Sequence, residues 1–94
     1  MLTNNPVTVN GDGAWHNILP PRQFRSILRG QNTTNAQIQI RNYLANPGGV
    51  PTVLQTWKIE AGGDFGWSGK VTPQGWIDVL VANGQTLNFE EEYI

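Results

Sequence analysis

The sequence predicts an all-β fold, an antiparallel β-sandwich or jelly-roll-like barrel of seven to eight short strands. Three observations carry this. Short alternating or β-branched runs recur along the chain, punctuated by Gly, Pro, Asn and Asp at near-regular intervals. Asn83-Gly84 stands between two β-rich runs near the end, a strong hairpin signal. Nine aromatics, four of them Trp, together with many Val, Ile and Leu, supply a core and exclude disorder.

Taken in order, Pro6-Val-Thr-Val-Asn10 reads as a strand before the Gly11-Asp12-Gly13 turn, and Ala14 to Leu19 as a second, ended by Pro20-Pro21. Arg22 to Arg29 fits two patterns. Phe24, Ile27 and Leu28 have helical spacing, whereas at period two Phe24, Ser26 and Leu28 oppose Arg25, Ile27 and Arg29. The strand is preferred because connected strands usually pair. Ala36 to Tyr43 alternates, with Ala36, Ile38 and Ile40 inward. Asn46-Pro-Gly-Gly49 is a turn, and Thr52 to Glu60 a strand with Val53, Trp57 and Ile59 on one face. Ala61 to Gly69 reads as a glycine-rich loop displaying Phe65 and Trp67, and Lys70-Val-Thr72 as a short strand.

The closing segment is expected to be a hairpin. A three-residue loop Ala82-Asn83-Gly84, with Gly84 left-handed, pairs Val79 with Leu87 and Ile77 with Phe89 and so gathers the apolar side chains on one face. In that register the sheet ends near Glu90, leaving residues 90–94 as a tail on a single domain spanning residues 1–94.

Area scaling gives a chain of this size a folded surface of roughly 5,400 Å², with about two-thirds of the unfolded surface buried, enough for a core without metal or disulfide. Cysteine is absent, which excludes a thiol nucleophile and a Cys-based zinc site. No segment has the length of a membrane span, and no signal-peptide pattern opens the chain. Asn32-Thr33-Thr34 matches the N-glycosylation pattern but reads as part of a polar turn. Charged residues make up 14% of the sequence, well below the usual quarter. They are unevenly placed: residues 1–50 hold Arg22, Arg25, Arg29 and Arg41 against Asp12, while residues 51–94 hold Lys58 and Lys70 against Glu60, Asp64, Asp78, Glu90, Glu91 and Glu92. Either the charges decorate a solvated surface, or the acidic end of one copy meets the arginines of the next.

No reaction is expected. His16 is the sole histidine and reads as an edge residue beside Trp15, and pairing it with Asp12 makes a weak metal site. The carboxylates form no recognisable glycosidase pair. Gly63 to Lys70 fails as a phosphate loop, because Asp64 stands where the first Gly is needed and Val71 where Ser or Thr is needed. Few basic residues and an acidic pI argue against nucleic acid. Trp57 and Trp76, in strands, are core candidates, whereas Phe65 and Trp67 could stack on a sugar or dock into a neighbouring subunit.

Gly11-Asp-Gly-Ala-Trp15, the pair Phe24 to Gly30 and Ala36 to Arg41, and the closing segment together resemble small β-sandwich virion proteins of tailed bacteriophages. The resemblance implies a non-enzymatic protein of the virion, assembled in the host cytoplasm, that decorates or stabilises the head as a symmetric oligomer such as a trimer. Its partners would be copies of itself and a major capsid or other virion protein, without cofactor, metal, nucleic acid or membrane. The expected contacts are Arg22, Arg25, Arg29, Phe65, Trp67, Glu90, Glu91, Glu92, Tyr93 and Ile94. The alternative is a carbohydrate-binding or receptor-binding module whose glycan platform is Phe65 and Trp67.

Overall fold

The structure, a computed structural model, describes residues 2–45 and 48–94. Among them eight strands form: β1 (Thr3–Asn10), β2 (Trp15–Leu19), β3 (Arg25–Gln31), β4 (Ile38–Leu44), β5 (Thr52–Ile59), β6 (Asp64–Ser68), β7 (Trp76–Leu80) and β8 (Thr86–Tyr93). They make two four-stranded antiparallel sheets, ordered β1-β8-β3-β6 and β2-β7-β4-β5. Every connection except β4–β5 passes from one sheet to the other, which winds the chain as a jelly roll. The β-sandwich expectation holds, and the accessible surface is 5402 Å².

Local chemistry accounts for most elements. β1 is an edge strand, where Pro6 is tolerated. Of the segment Arg22 to Arg29, the part from Arg25 onward resolves as strand and Gln23 and Phe24 lie in a turn before it, while a register shift between Arg25 and Ile27 breaks the simple alternation. Arg25 and Leu28 are consequently both buried, and Phe24 is exposed. β4 alternates as expected, with Ile38 and Ile40 buried. The turn assigned to Asn46-Pro-Gly-Gly49 lies partly outside the described residues. On β5, Trp57 and Ile59 pack against the core, but Val53 does not, because the ladder slips between Gln55 and Val53 on an edge strand. Two expectations are corrected. The glycine-rich stretch holds edge strand β6, paired with β3 from Ile27↔Ser68 to Gln31↔Asp64. Residues Gly69–Val71 form a 3₁₀ turn, not a strand.

The closing hairpin is also corrected. β7 pairs with β2 and β4, β8 with β1 and β3, so the two strands belong to opposite sheets. Gly84 is left-handed at φ 79, as expected, and the Gln85 N–H donates to the Ala82 carbonyl. No non-glycine residue among those described has positive φ, so Asn83 lacks the left-handed geometry of a type I′ hairpin; the sign pattern is that of a type II turn. This turn is bonded to the β1–β2 corner: Gly11 N–H to Gln85 carbonyl, 2.8 Å; Gly84 N–H to Gly11 carbonyl, 3.2 Å; Gly13 N–H to Val81 carbonyl, 2.9 Å. Gly11 is required there, since a Cβ would strike the Ala82 and Val81 carbonyls.

Ile77 and Val79 from one sheet and Leu87 and Phe89 from the other share one core with Val9, Leu19, Leu28, Ile38, Ile40, Phe65 and Val81. The tail at 90–94 is corrected in turn. β8 is an inner strand and continues to Tyr93, paired with both β1 and β3.

Candidate assembly surface

Of the arginines and acids assigned to contacts between copies, all but Glu92 pair within one chain. Glu91 is fully buried on the inner face of β8. Its Oε1 accepts from Arg25 Nε at 2.9 Å, and its Oε2 from Asn5 Nδ2 at 2.8 Å and Arg22 Nη2 at 3.4 Å. Arg25, equally buried, also donates through Nη1 to the Pro73 and Gly75 carbonyls and through Nη2 to the Pro20 carbonyl. The pair therefore ties strands of one sheet to loops that enter the other. Burial pushes the Glu91 carboxyl up, but the donors Asn5, Arg25 and Arg22 outweigh it and hold the group below the usual carboxylate value. Burial likewise pulls the Arg25 guanidinium down.

Glu90, on the outer face, accepts from Arg29 Nε at 2.5 Å and Asn4 Nδ2 at 3.1 Å; the bonds from Asn4 and Arg29 lower its pKa. The Arg22 guanidinium lies 3.7 Å from the Tyr93 ring centroid. Glu92 is half-buried. The aromatic pair also turns inward. Phe65 is a core residue, and Trp67 packs on Trp57 with centroids 4.4 Å apart. Of the ten expected contact residues, Arg29, paired with Glu90, and Ile94 are exposed, and Ile94 belongs to a surface that the charge pattern did not indicate.

That surface is the end of the sandwich where β1, β3, β5 and β7 begin and β2, β4, β6 and β8 finish, here called the base. The large apolar side chains most exposed among the described residues are Leu2, Phe24, Leu44, Val50, Val53, Leu54, Val71 and Ile94, and all lie in or beside the base. Val71 is 73% exposed and Ile94 71%. A groove of about 470 Å³ is lined by Leu44, Leu54, Val71 and Lys70, and an adjoining hollow by Phe24, Ile94 and the same Lys70. The patch is therefore continuous around Lys70. The opposite end, the crown, consists of the turns after β1, β3, β5 and β7 and exposes Gly13, Ala14, Ala61, Gly62, Asn83 and Gly84. Sequence periodicity missed the base because most of its apolar residues sit at strand ends and in connections, and Phe24 and Val53, read as members of inward-facing runs, turn outward.

The outer face of the second sheet carries a row the sequence also did not disclose. Trp15, Arg41, Tyr43 and Trp76 follow one another: Arg41 lies 4.3 Å from the Trp15 centroid and 5.6 Å from that of Tyr43, and Tyr43 and Trp76 are stacked at 6.4 Å. Asp78 supports it, accepting from Arg41 Nη2 at 2.6 Å and Asn17 Nδ2 at 3.1 Å. Burial, then Asp78, raise the Tyr43 pKa. Trp76 thus belongs to this outer row, not to the core. Asp78 answers Arg41 through Nη2 while Arg41 Nε is left buried without a partner, and the row reads as a surface clasp over β2, β7 and β4.

The remaining candidates are local. His16 Nε2 stands 2.8 Å from Asp12 Oδ2 at an exposed corner, and the Ala14 N–H, then His16, lower the Asp12 pKa. Among the described residues no group of three His, Cys, Asp or Glu is placed to hold a metal. Asn32 is buried, donating to the Ala36 and Ile59 carbonyls and accepting from Thr34, so its amide is out of reach of a glycan.

No protein-family model and no curated protein matches the chain. Two solved structures share its fold. One is a chain from Bacillus endospore appendages, described as a novel family of disulfide-linked pili, with TM-score 0.68 and 15% identity over 99% of this chain and 86% of that one. The other is PirA, with TM-score 0.54 and 18% identity over 96% of this chain and 91% of that one.

Proposed function

We propose that this chain is a non-enzymatic structural subunit that assembles with copies of itself. The carrying observation is the base: a sandwich whose acid–arginine pairs are satisfied internally leaves its bulky apolar side chains concentrated at one end, and such a patch marks a protein contact. The appendage subunit, alike in fold over nearly the whole chain, supports a polymer as the form of assembly. This sequence has no cysteine, so the contacts proposed here are not the disulfide links of that family's pili. The finer reading that the sequence texture supports is decoration or stabilisation of a phage head in the virion, against a major capsid protein. The polymer is preferred because base and crown differ in chemistry, which suits a directional contact better than a closed symmetric one. The glycan alternative loses its platform, since Phe65 is buried and Trp67 faces Trp57.

Light scattering and negative-stain microscopy across a concentration series test the proposal. Growth of mass with concentration, ending in ordered assemblies, is expected. A monomer at every concentration would overturn self-assembly, and binding to phage heads by that monomer would instead support decoration.

A further inference from the structure

The chain's two ends differ in charge as well as in bulk. The crown carries Asp12, Glu60 and Asp64 and no Lys or Arg in its turns; the base carries Lys70 inside its apolar patch. Asp12 is engaged by His16, and Glu60 accepts from Gln37 Nε2 at 2.6 Å. Beside Lys58 on β5 and the half-buried Glu92 on β8, Asp64 and Lys70 are the charged side chains among the described residues that make no ion pair or hydrogen bond. These two unanswered charges sit at opposite ends of one edge strand: Asp64 opens β6 at the crown, and Lys70 follows its last residue, Ser68, at the base. A copy displaced along the strand direction brings its Lys70 over Asp64 of the copy below. The same displacement sets Phe24, Leu54 and Val71 on crown turns that expose Gly13, Ala14, Ala61, Gly62 and Gly84 among the polar Asp12, Thr33, Asn35 and Asn83.

We propose that copies stack end to end in one direction, the apolar base of one on the small-residue crown of the next, with Lys70 meeting Asp64 of the neighbouring copy. This rests on the self-assembly reading and adds polarity to it. The contact is heterologous, so it propagates a filament and does not close a dimer. Lys58, the other lysine or arginine without an ion pair among the described residues, lies on β5 and takes no part.

Charge reversal tests the orientation, with assembly followed by light scattering at low and moderate salt and folding checked by circular dichroism. Lys70→Glu and Asp64→Lys should each weaken association roughly tenfold, since reversing one exposed pair replaces a small attraction with a comparable repulsion. The double variant carrying both reversals should recover most of the loss, and Lys58→Glu should leave assembly unchanged. Intact assembly in both single variants, no recovery in the swap, or a species that stops at a dimer would overturn the stacking while leaving self-assembly in place. A wild-type chain that never assembles would overturn both.

Discussion

Glu91 and Arg25 are withdrawn from water, yet between them they contact Asn5, Arg22 and three backbone carbonyls, which is the condition under which a buried pair is tolerated. Arg25→Met leaves the carbonyls of Pro20, Pro73 and Gly75 without that donor and removes a principal partner from a buried carboxylate. It should cost about 3–5 kcal/mol in urea unfolding. Glu91 also sets an acid limit. Its pKa is lowered in the folded state, so its contribution is complete above the ordinary value of 4.5 and is lost as pH falls through the folded value. Glu91→Gln should therefore be less stable at neutral pH and lose less on acidification, as read from unfolding midpoints on either side of pH 4.5. Glu90 makes a similar pair at the surface, where solvent screens it, and Glu90→Gln should move the midpoint little.

At the scale of elements, alternation revealed which face each strand buries but not which strand lies beside it. Ile77, Val79, Leu87 and Phe89 were correctly assigned to one apolar surface, yet they meet across the core from opposite sheets instead of side by side. Extended past Glu90, the same parity points Glu91 inward, where it is buried against Arg25, so the tail expectation errs in where the strand ends. β3 hid that partner: a bulge, invisible to periodicity, turns Arg25 into the core and Phe24 out. The charge asymmetry between halves was a true signal of attraction, satisfied within the chain. The base could not be read at all, since it is defined by where strand ends converge. The corner that replaces the hairpin makes its own prediction. Asn83→Ala should change stability by less than about 0.5 kcal/mol, because negative φ at this position needs no Asn. Gly11→Ala should cost about 1–3 kcal/mol by forcing Cβ into the facing carbonyls. A type I′ hairpin would make Asn83 the sensitive residue of the two, and chemical denaturation of both variants decides between them.

For the whole molecule, stability and assembly are carried by different parts, and mutation should separate them. The core is held by residues such as Leu87, buried in inner strand β8. Leu87→Ala opens a cavity between the sheets and should lower stability by about 2–5 kcal/mol. Nearly all sheet neighbours are distant in sequence, β4 and β5 being the exception, so folding should take milliseconds to seconds. During that time the exposed base and the open edges β5 and β6 favour aggregation, and a destabilised core should worsen it. Leu54 and Val71 contribute apolar surface at the base without belonging to that core. Replacing both with Ser should lower the monomer's stability by no more than about 1 kcal/mol, since Val71 is already largely in water and Leu54 about half so. The same double variant should nevertheless abolish concentration-dependent growth in light scattering, because it removes the apolar area that a neighbouring copy would cover. If it unfolds earlier instead and assembles as before, the base is part of the fold's own support and the contact between copies lies elsewhere.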